Sequence, residues 1–248
     1  MQSTKFKRGA AAAVLMLVAA GALAQEHLVI KRPVDLPPSA DLSYKIDARK
    51  KGISLGGDAL VSWRAGNGSY AINSVARASF LGKILDNRTE GAIDAFGLAP
   101  TQFHEKRFRK DATTATFDRA AKSITFTDGK LSYPLLGGEQ DRASVQWQLA
   151  AVARAAPDKF VPGSEWKFFV AGRRDAEVWT FKVLARENIN TGMGPMAALH
   201  LVKVPAPESA QHIDLWLAPG HEWYPVKLRF SEEDGEFVQQ TVDKITKK

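Results

Sequence analysis

The chain has 248 residues, no cysteine and a formal charge of +7 at pH 7. That length and an apolar content of 45% suffice to bury an ordinary core without disulfide staples. Lys and Arg are scattered among Asp and Glu, not gathered into a basic stripe with interleaved aromatics, so nucleic acid is not an expected partner.

The first elements are those of an export signal. Lys5, Lys7 and Arg8 form a positive n-region, Ala10 to Ala20 an apolar run, and Ala22-Leu23-Ala24 a small-x-small cleavage pattern. The apolar run is shorter than the roughly 20 residues that cross a bilayer, and the cleavage pattern follows it directly. Residues 1–24 therefore read as a cleaved signal peptide. The absence of cysteine removes the lipidation site of a lipoprotein, so the mature protein is expected free in the periplasm. Three positive charges leave with the leader, which takes the formal charge from +7 to +4. No later segment is apolar for long enough to span a membrane.

Residues 25–40 carry Pro33, Pro37 and Pro38 and read as an extended lead-in, because proline pushes the residue before it away from helix. A single β-rich domain is expected over residues 41–248. It opens with Leu42, Tyr44, Ile46 and Ala48 alternating with polar neighbours, the period of a strand with one buried face. Strands follow at 58–64, 69–79, 101–109, 113–118 and 122–127, punctuated by turns such as Gly66-Asn67-Gly68 and Asp128-Gly129. A second series is expected at 165–171, 177–186, 196–204, 211–217, 225–231 and 236–243. Between the two series, Val145, Leu149, Val152 and Ala156 fall at helical spacing, so one helix is expected over about 141–156, with Asp141 as N-cap, Pro157 as stop, and a place covering one end of the sheet. The fold class is mainly β: one curled antiparallel sheet or open β-barrel of about 10–12 strands.

With those segments placed, the chain resembles a family of exported bacterial proteins known as DUF3108. The residues that carry the likeness are Leu81-Gly82 and Glu90-Gly91, Gly97-Leu98-Ala99-Pro100 leading to Phe103, and Phe117-Asp118. They continue with Gln140-Asp141-Arg142-Ala143-Ser144, then Ile213-Asp214-Leu215-Trp216-Leu217-Ala218-Pro219 and Tyr224-Pro225-Val226-Lys227. The resemblance implies an exported, mainly β domain of Gram-negative bacteria and transfers no catalytic residue.

The residues themselves point away from known chemistry. No histidine pair has the i, i+2 or i, i+4 spacing of a metal site, although His200 and His212 sit on neighbouring expected strands. There is no G-x-S-x-G elbow and no nucleophilic cysteine, and neither Gly66-Asn67-Gly68 nor Gly192-Met193-Gly194-Pro195 sits between a strand and a helix as a phosphate loop does. No metal and no cofactor are expected. The polar cluster Gln140, Asp141 and Arg142 reads first as a helix start, and is also where a polar site would form. Aromatic side chains at Trp63, Tyr70, Trp179 and Trp216 occupy strand positions where they either fill a core or line a cavity for an apolar ligand.

The expected function is a non-enzymatic periplasmic protein that binds an apolar or amphipathic small molecule, such as a lipid, or a cell-envelope component. The alternatives are a scaffolding protein that binds another envelope protein through a sheet edge, and a hydrolase with an unfamiliar site at Asp141 or a histidine.

Overall fold

The computed structural model describes residues 29–205 and 211–248; the leader expected over residues 1–24 lies outside the described residues. The chain builds β1 (Ala40–Lys50), β2 (Ile53–Gly66), β3 (Ser69–Ala78), β4 (Gly82–Asp94), β5 (Gly97–Arg107), β6 (Thr113–Asp118), β7 (Ser123–Phe126) and β8 (Ser132–Pro134) as one meander. After β9 (Gln140–Asp141) and the helix α1 (Val145–Ala155), a second meander runs through β10 (Glu165–Ala171), β11 (Ala176–Thr191), β12 (Gly194–Lys203), β13 (His212–Ala218), β14 (Tyr224–Ser231) and β15 (Phe237–Lys247). All 15 strands among the described residues belong to one sheet, in the order β8 to β1, then β15 down to β9. The first strand and the last pair in the middle, so each meander forms one wing of a curled, unclosed sheet. Every pairing is antiparallel except that of β9 with β10.

The sheet curls because each wing has one apolar face. Leu42, Tyr44 and Ile46 of β1 stand opposite Val61, Ala59 and Gly57 of β2, and all face inward. The same parity continues across β15 and β14, where Leu228 pairs with Gln240 and Phe230 with Val238. The far ends of the wings meet through side chains: Tyr133 of the edge strand β8 packs edge-on against Phe169 of β10, the strand next to the other edge, ring centroids 5.7 Å apart. The wings are thus joined by the β1–β15 ladder in the middle and by side-chain contacts at their free ends.

The helix is shorter than its periodicity predicts, and its first turn explains why. Asp141 lies in β9, and its carboxylate accepts the N–H groups of Ala143 (2.8 Å) and Ser144 (2.9 Å), holding a turn that delays the helix to Val145. The helix N-cap is thus Ser144, not Asp141. Nor does α1 merely cover an end. Eight of its residues are buried, Trp147 in a cluster drawn from both wings and Val145, Leu149 and Val152 among residues of the second. Trp147 stacks on Trp63 at 4.6 Å and meets Tyr224 edge-on at 6.1 Å. Gln148 clamps the start of β5, accepting the N–H of Leu98 (2.8 Å) and donating to the carbonyl of Phe96 (2.6 Å).

Residues 29–39 of the proline-rich lead-in form neither helix nor strand and pack onto the fold. Trp63 Nε1 donates to the carbonyl of Pro37 (2.9 Å), Tyr224 to that of Pro38 (2.7 Å), and the N–H of Asp35 to Ala151 at the helix end (3.0 Å). An extended proline segment has no internal backbone bonds, which leaves these carbonyls free to accept. The strap thereby ties both wings to the helix.

Candidate functional site

Where the two wings face each other beside the helix start, the side chains leave a cavity of about 350 Å³. The second wing supplies large apolar groups: Trp179 and Phe181 from β11, Ile213 and Leu215 from β13, and Leu228 and Phe230 from β14. The first wing opposes them with small ones, Ala59 of β2 and Ser74 and Ala76 of β3, together with Val61 and Leu85. Space remains because short side chains at inward positions of one wing do not reach the other. Val238 and Gln240 of β15 form the floor between them, and Arg142, Ala143, Val145 and Gln146 border the helix side.

One side of this apolar space is polar and biased toward positive charge. Glu105 of β5 is almost fully buried, and its Oε1 lies 2.7 Å from Arg107 Nε and 3.1 Å from Arg173 Nε. Both contacts are ion pairs by distance and not directed hydrogen bonds, because Glu105 Oε1 accepts none. Arg142 lines the same cavity, its guanidinium 5.9 Å from the ring of Trp179, and its buried Nε has no hydrogen-bond partner. The buried Oδ1 of Asn87 on β4 also has none. A buried unsatisfied donor and acceptor are uncommon in folded proteins and mark a place where a further polar group fits.

The aromatic residues singled out from the sequence separate into three places. Trp179 lines the cavity, its indole N–H donating to Glu177 (2.8 Å) and its ring also 4.7 Å from the ammonium of Lys203. Trp63 and Tyr70 are buried in the core around Trp147, with ring centroids 6.2 Å apart. Trp216 belongs to the same buried cluster but sits on the opposite face of β13 from Leu215, stacked on His200 at 4.2 Å and capped by Lys227 at 4.3 Å, with its N–H donated to Glu187. Burial lowers the pKa of Lys227 there.

The polar cluster is divided too. Arg142 reaches the cavity, whereas Gln140 donates to the carbonyl of Leu98 (2.7 Å) and Asp141 is enclosed. Besides its two backbone donors, Asp141 accepts the hydroxyl of Thr89 on β4 (2.5 Å), which in turn lies 3.4 Å from the hydroxyl of Tyr70. Burial pushes the Asp141 carboxyl up to about 6 against the opposing pull of these hydrogen bonds. All its contacts tie β9 to β4 and to the turn before α1. No described histidine lines the cavity: His104 contacts Thr114 (3.2 Å), and the register sets His200 against Trp216, so it does not meet His212. Among the described residues, the one carboxylate trio close enough to hold an ion is Glu232, Asp234 and Glu236 on the exposed β14–β15 turn, where Glu236 already accepts from Lys50 Nζ (3.0 Å) and the N–H of Lys51 (2.8 Å).

Sequence reasoning did not single out Glu105, Asn87 or Arg107. Glu105 and Arg107 shared parity with Phe103 on β5, which identifies a facing direction and not a space, while the polar run around Asn87 on β4 carried no such signal.

The family described as protein of unknown function, DUF3108, matches residues 41–242. The chain belongs to the DUF3108 family. Among solved structures, a β-barrel-like DUF1849 protein from Brucella abortus is similar at 13% identity, with a TM-score of 0.57 over 87% of this chain and 99% of that one. An exported protein with a YmcC-like fold from Bacteroides fragilis aligns at 9% identity and TM-score 0.33, over 89% of this chain and 100% of that one. An outer membrane lipoprotein-sorting protein domain from Vibrio parahaemolyticus aligns at 10% identity and TM-score 0.30, over 85% and 86%. No protein of curated function matches the chain. The first of these likenesses supports the β-barrel-like fold of this DUF3108 protein. No helix among the described residues is long and apolar enough to cross a membrane.

Proposed function

We propose that this DUF3108 protein is a non-enzymatic periplasmic binding protein that holds an apolar or amphipathic small molecule between the wings of its sheet. The cavity carries the reading: about 350 Å³, walled by Phe181, Leu215, Leu228 and Phe230, with Arg142 and Asn87 each offering a buried, unsatisfied polar atom at one side. Its size is at the lower end of small-molecule sites, which are mostly apolar with a few convergent polar groups. An amphipath would place its chain against the aromatic wing and its polar end on Arg142. The periplasmic assignment rests on the leader pattern of residues 1–24.

The other two readings draw less from the geometry. Partner binding at a sheet edge needs an exposed ladder, and the outermost strands, β8 and β9, have three and two residues, with Pro134 closing β8. A hydrolytic site at Asp141 needs a carboxylate that reaches a substrate, and both oxygens of Asp141 are engaged away from the cavity wall.

Titration with N-phenyl-1-naphthylamine, an apolar probe that brightens when it leaves water, tests the reading. Wild-type protein is expected to bind it saturably and to quench Trp179 as it does. Ala76→Trp, which puts an indole into the cavity from β3, is expected to abolish binding while circular dichroism still reports the native sheet. Equal probe binding by a folded Ala76→Trp variant would place the probe elsewhere and remove the cavity as the site.

A further inference from the structure

The most exposed large apolar side chain among the described residues is Phe80, 95% accessible at the tip of the β3–β4 turn, with Leu81 beside it at 50%. The turn is not slack. Both the N–H (3.0 Å) and the hydroxyl (2.9 Å) of Ser79 donate to the carbonyl of Gly56 on β2, and the N–H of Leu81 donates to Ala78 (3.2 Å), so the backbone is pinned while the ring of Phe80 stands in solvent. The neighbouring β5–β6 turn adds a third apolar group, Phe108, 39% exposed, and is joined to the first by the bond from Phe108 N–H to the carbonyl of Ile84 (2.9 Å).

Basic residues surround these groups. Arg77 and Lys83 flank Phe80 and Leu81 with no acid between them, and the second turn reads Lys106-Arg107-Phe108-Arg109-Lys110-Asp111. Lys83 is paired with Asp86 (2.7 Å) and Arg107 with Glu105 (2.7 Å), which leaves Arg77, Lys106, Arg109 and Lys110 as exposed positive charge around the three apolar tips. The acidic β14–β15 turn lies on the far side of β1, where Lys50 pairs with Glu236 (3.0 Å). The cavity wall runs into both tips: Ala76 and Leu85 line the cavity and bracket the Phe80 turn, and Arg107 lines it directly before Phe108.

We propose that the β3–β4 and β5–β6 tips are a docking surface for an anionic lipid bilayer, with Phe80, Leu81 and Phe108 entering the headgroup layer and the basic residues meeting lipid phosphates. Aromatic rings favour that layer, and an amphipathic, lysine- and arginine-flanked apolar patch binds anionic lipid by apolar burial plus charge. Charge selects this occupant over a second copy of the chain, since two such tips would bring like charges together. Docking there sets the cavity beside the bilayer surface. The inference goes beyond the cavity reading and stands on different residues.

Co-sedimentation of residues 25–248 with phosphatidylcholine vesicles, with and without phosphatidylglycerol, is the test. Binding is expected to rise at least about tenfold with the anionic lipid and to fall in high salt, since each basic residue near such a surface contributes a severalfold gain. Phe80→Ser/Leu81→Ser and, separately, Arg109→Gln/Lys110→Gln are each expected to weaken binding by about tenfold or more, from lost apolar burial and lost charge respectively. Both pairs are exposed and outside the cavity, so naphthylamine binding stays at the wild-type level and a failure here is separable from a failure of the cavity reading. Equal sedimentation with neutral and anionic vesicles, or wild-type binding by both variants, overturns the proposal. So does sedimentation-velocity evidence that the wild type self-associates through these tips while ignoring vesicles.

Discussion

The enclosed carboxyl of Asp141 gives the sharpest quantitative prediction. Its ordinary pKa of 3.8 applies in the unfolded chain, and burial in the folded protein raises it to about 6. Between these values the folded state holds a proton that the unfolded state has lost, so stability falls as pH rises through that window. The shift corresponds to about 3 kcal/mol, complete above pH 6 and absent below about pH 4. Asp141→Asn keeps the shape: its Oδ1 still accepts the N–H groups of Ala143 and Ser144, while its amide donates to Thr89 Oγ1, whose hydroxyl then turns toward Tyr70. Urea unfolding of both proteins from pH 4 to pH 7, followed by tryptophan fluorescence, isolates this one group. The stability of wild type relative to Asp141→Asn is expected to drop by about 3 kcal/mol as pH rises from 4 to 7. Asp141→Ala strands two backbone donors and a hydroxyl, each worth ~1–3 kcal/mol when buried without a partner, and is expected to cost roughly 3–9 kcal/mol at pH 5. A wild-type to Asp141→Asn difference that stays constant across the range would refute the reasoning.

Two further predictions probe the contacts that shape the cavity. Trp147→Ala, which removes the ring stacked between Trp63 and Tyr224, is expected to cost about 3–5 kcal/mol in urea unfolding. Trp147→Phe should cost only about 1–2 kcal/mol, because the indole N–H it deletes is buried without a hydrogen-bond partner; equal costs for both variants would contradict that. Gly97 has φ +100°, and a Cβ there would lie 2.4 Å from Gln148 Oε1. Gly97→Ala is therefore expected to break the Gln148 clamp on β5 and lose about 2–4 kcal/mol, with faster hydrogen exchange at Leu98; unchanged exchange at Leu98 would show that the clamp does not depend on Gly97.

Most strands were legible because their alternation is clean. Leu42, Tyr44, Ile46 and Ala48 are all buried in β1, as their period requires. The chain forms more strands than the sequence suggests, and β4 shows why. Its run Asp86-Asn87-Arg88-Thr89-Glu90 has no apolar alternation, its one buried residue is Thr89, and it is held in place by neighbours on both sides and by Asp141. Tertiary contacts overrode local pattern there. β8 and β9 are too short to show a period at all.

The site was legible to a smaller degree. Trp63, Tyr70 and Trp179 all point inward, and inward parity is the same for a ring that fills the core and one that borders a cavity. What separates them is the residue across the space: Trp147 faces Trp63, whereas small residues such as Ala59 and Ala76 face the wing that carries Trp179. That pairing joins residues more than 80 positions apart and is set by how the wings curl. The bulge between Trp216 and Leu217 marks how closely sequential residues separate: Leu217 packs inward with the helix and Trp216 on the opposite face.

The central claim is occupancy of the cavity. Native mass spectrometry of the protein, purified without detergent and paired with organic extraction, reads it directly. A near-stoichiometric adduct of an apolar or amphipathic molecule is expected, lost in Ala76→Trp. An adduct retained in full by folded Ala76→Trp, or a bare mass for wild type that persists after incubation with lipid extract, would contradict it.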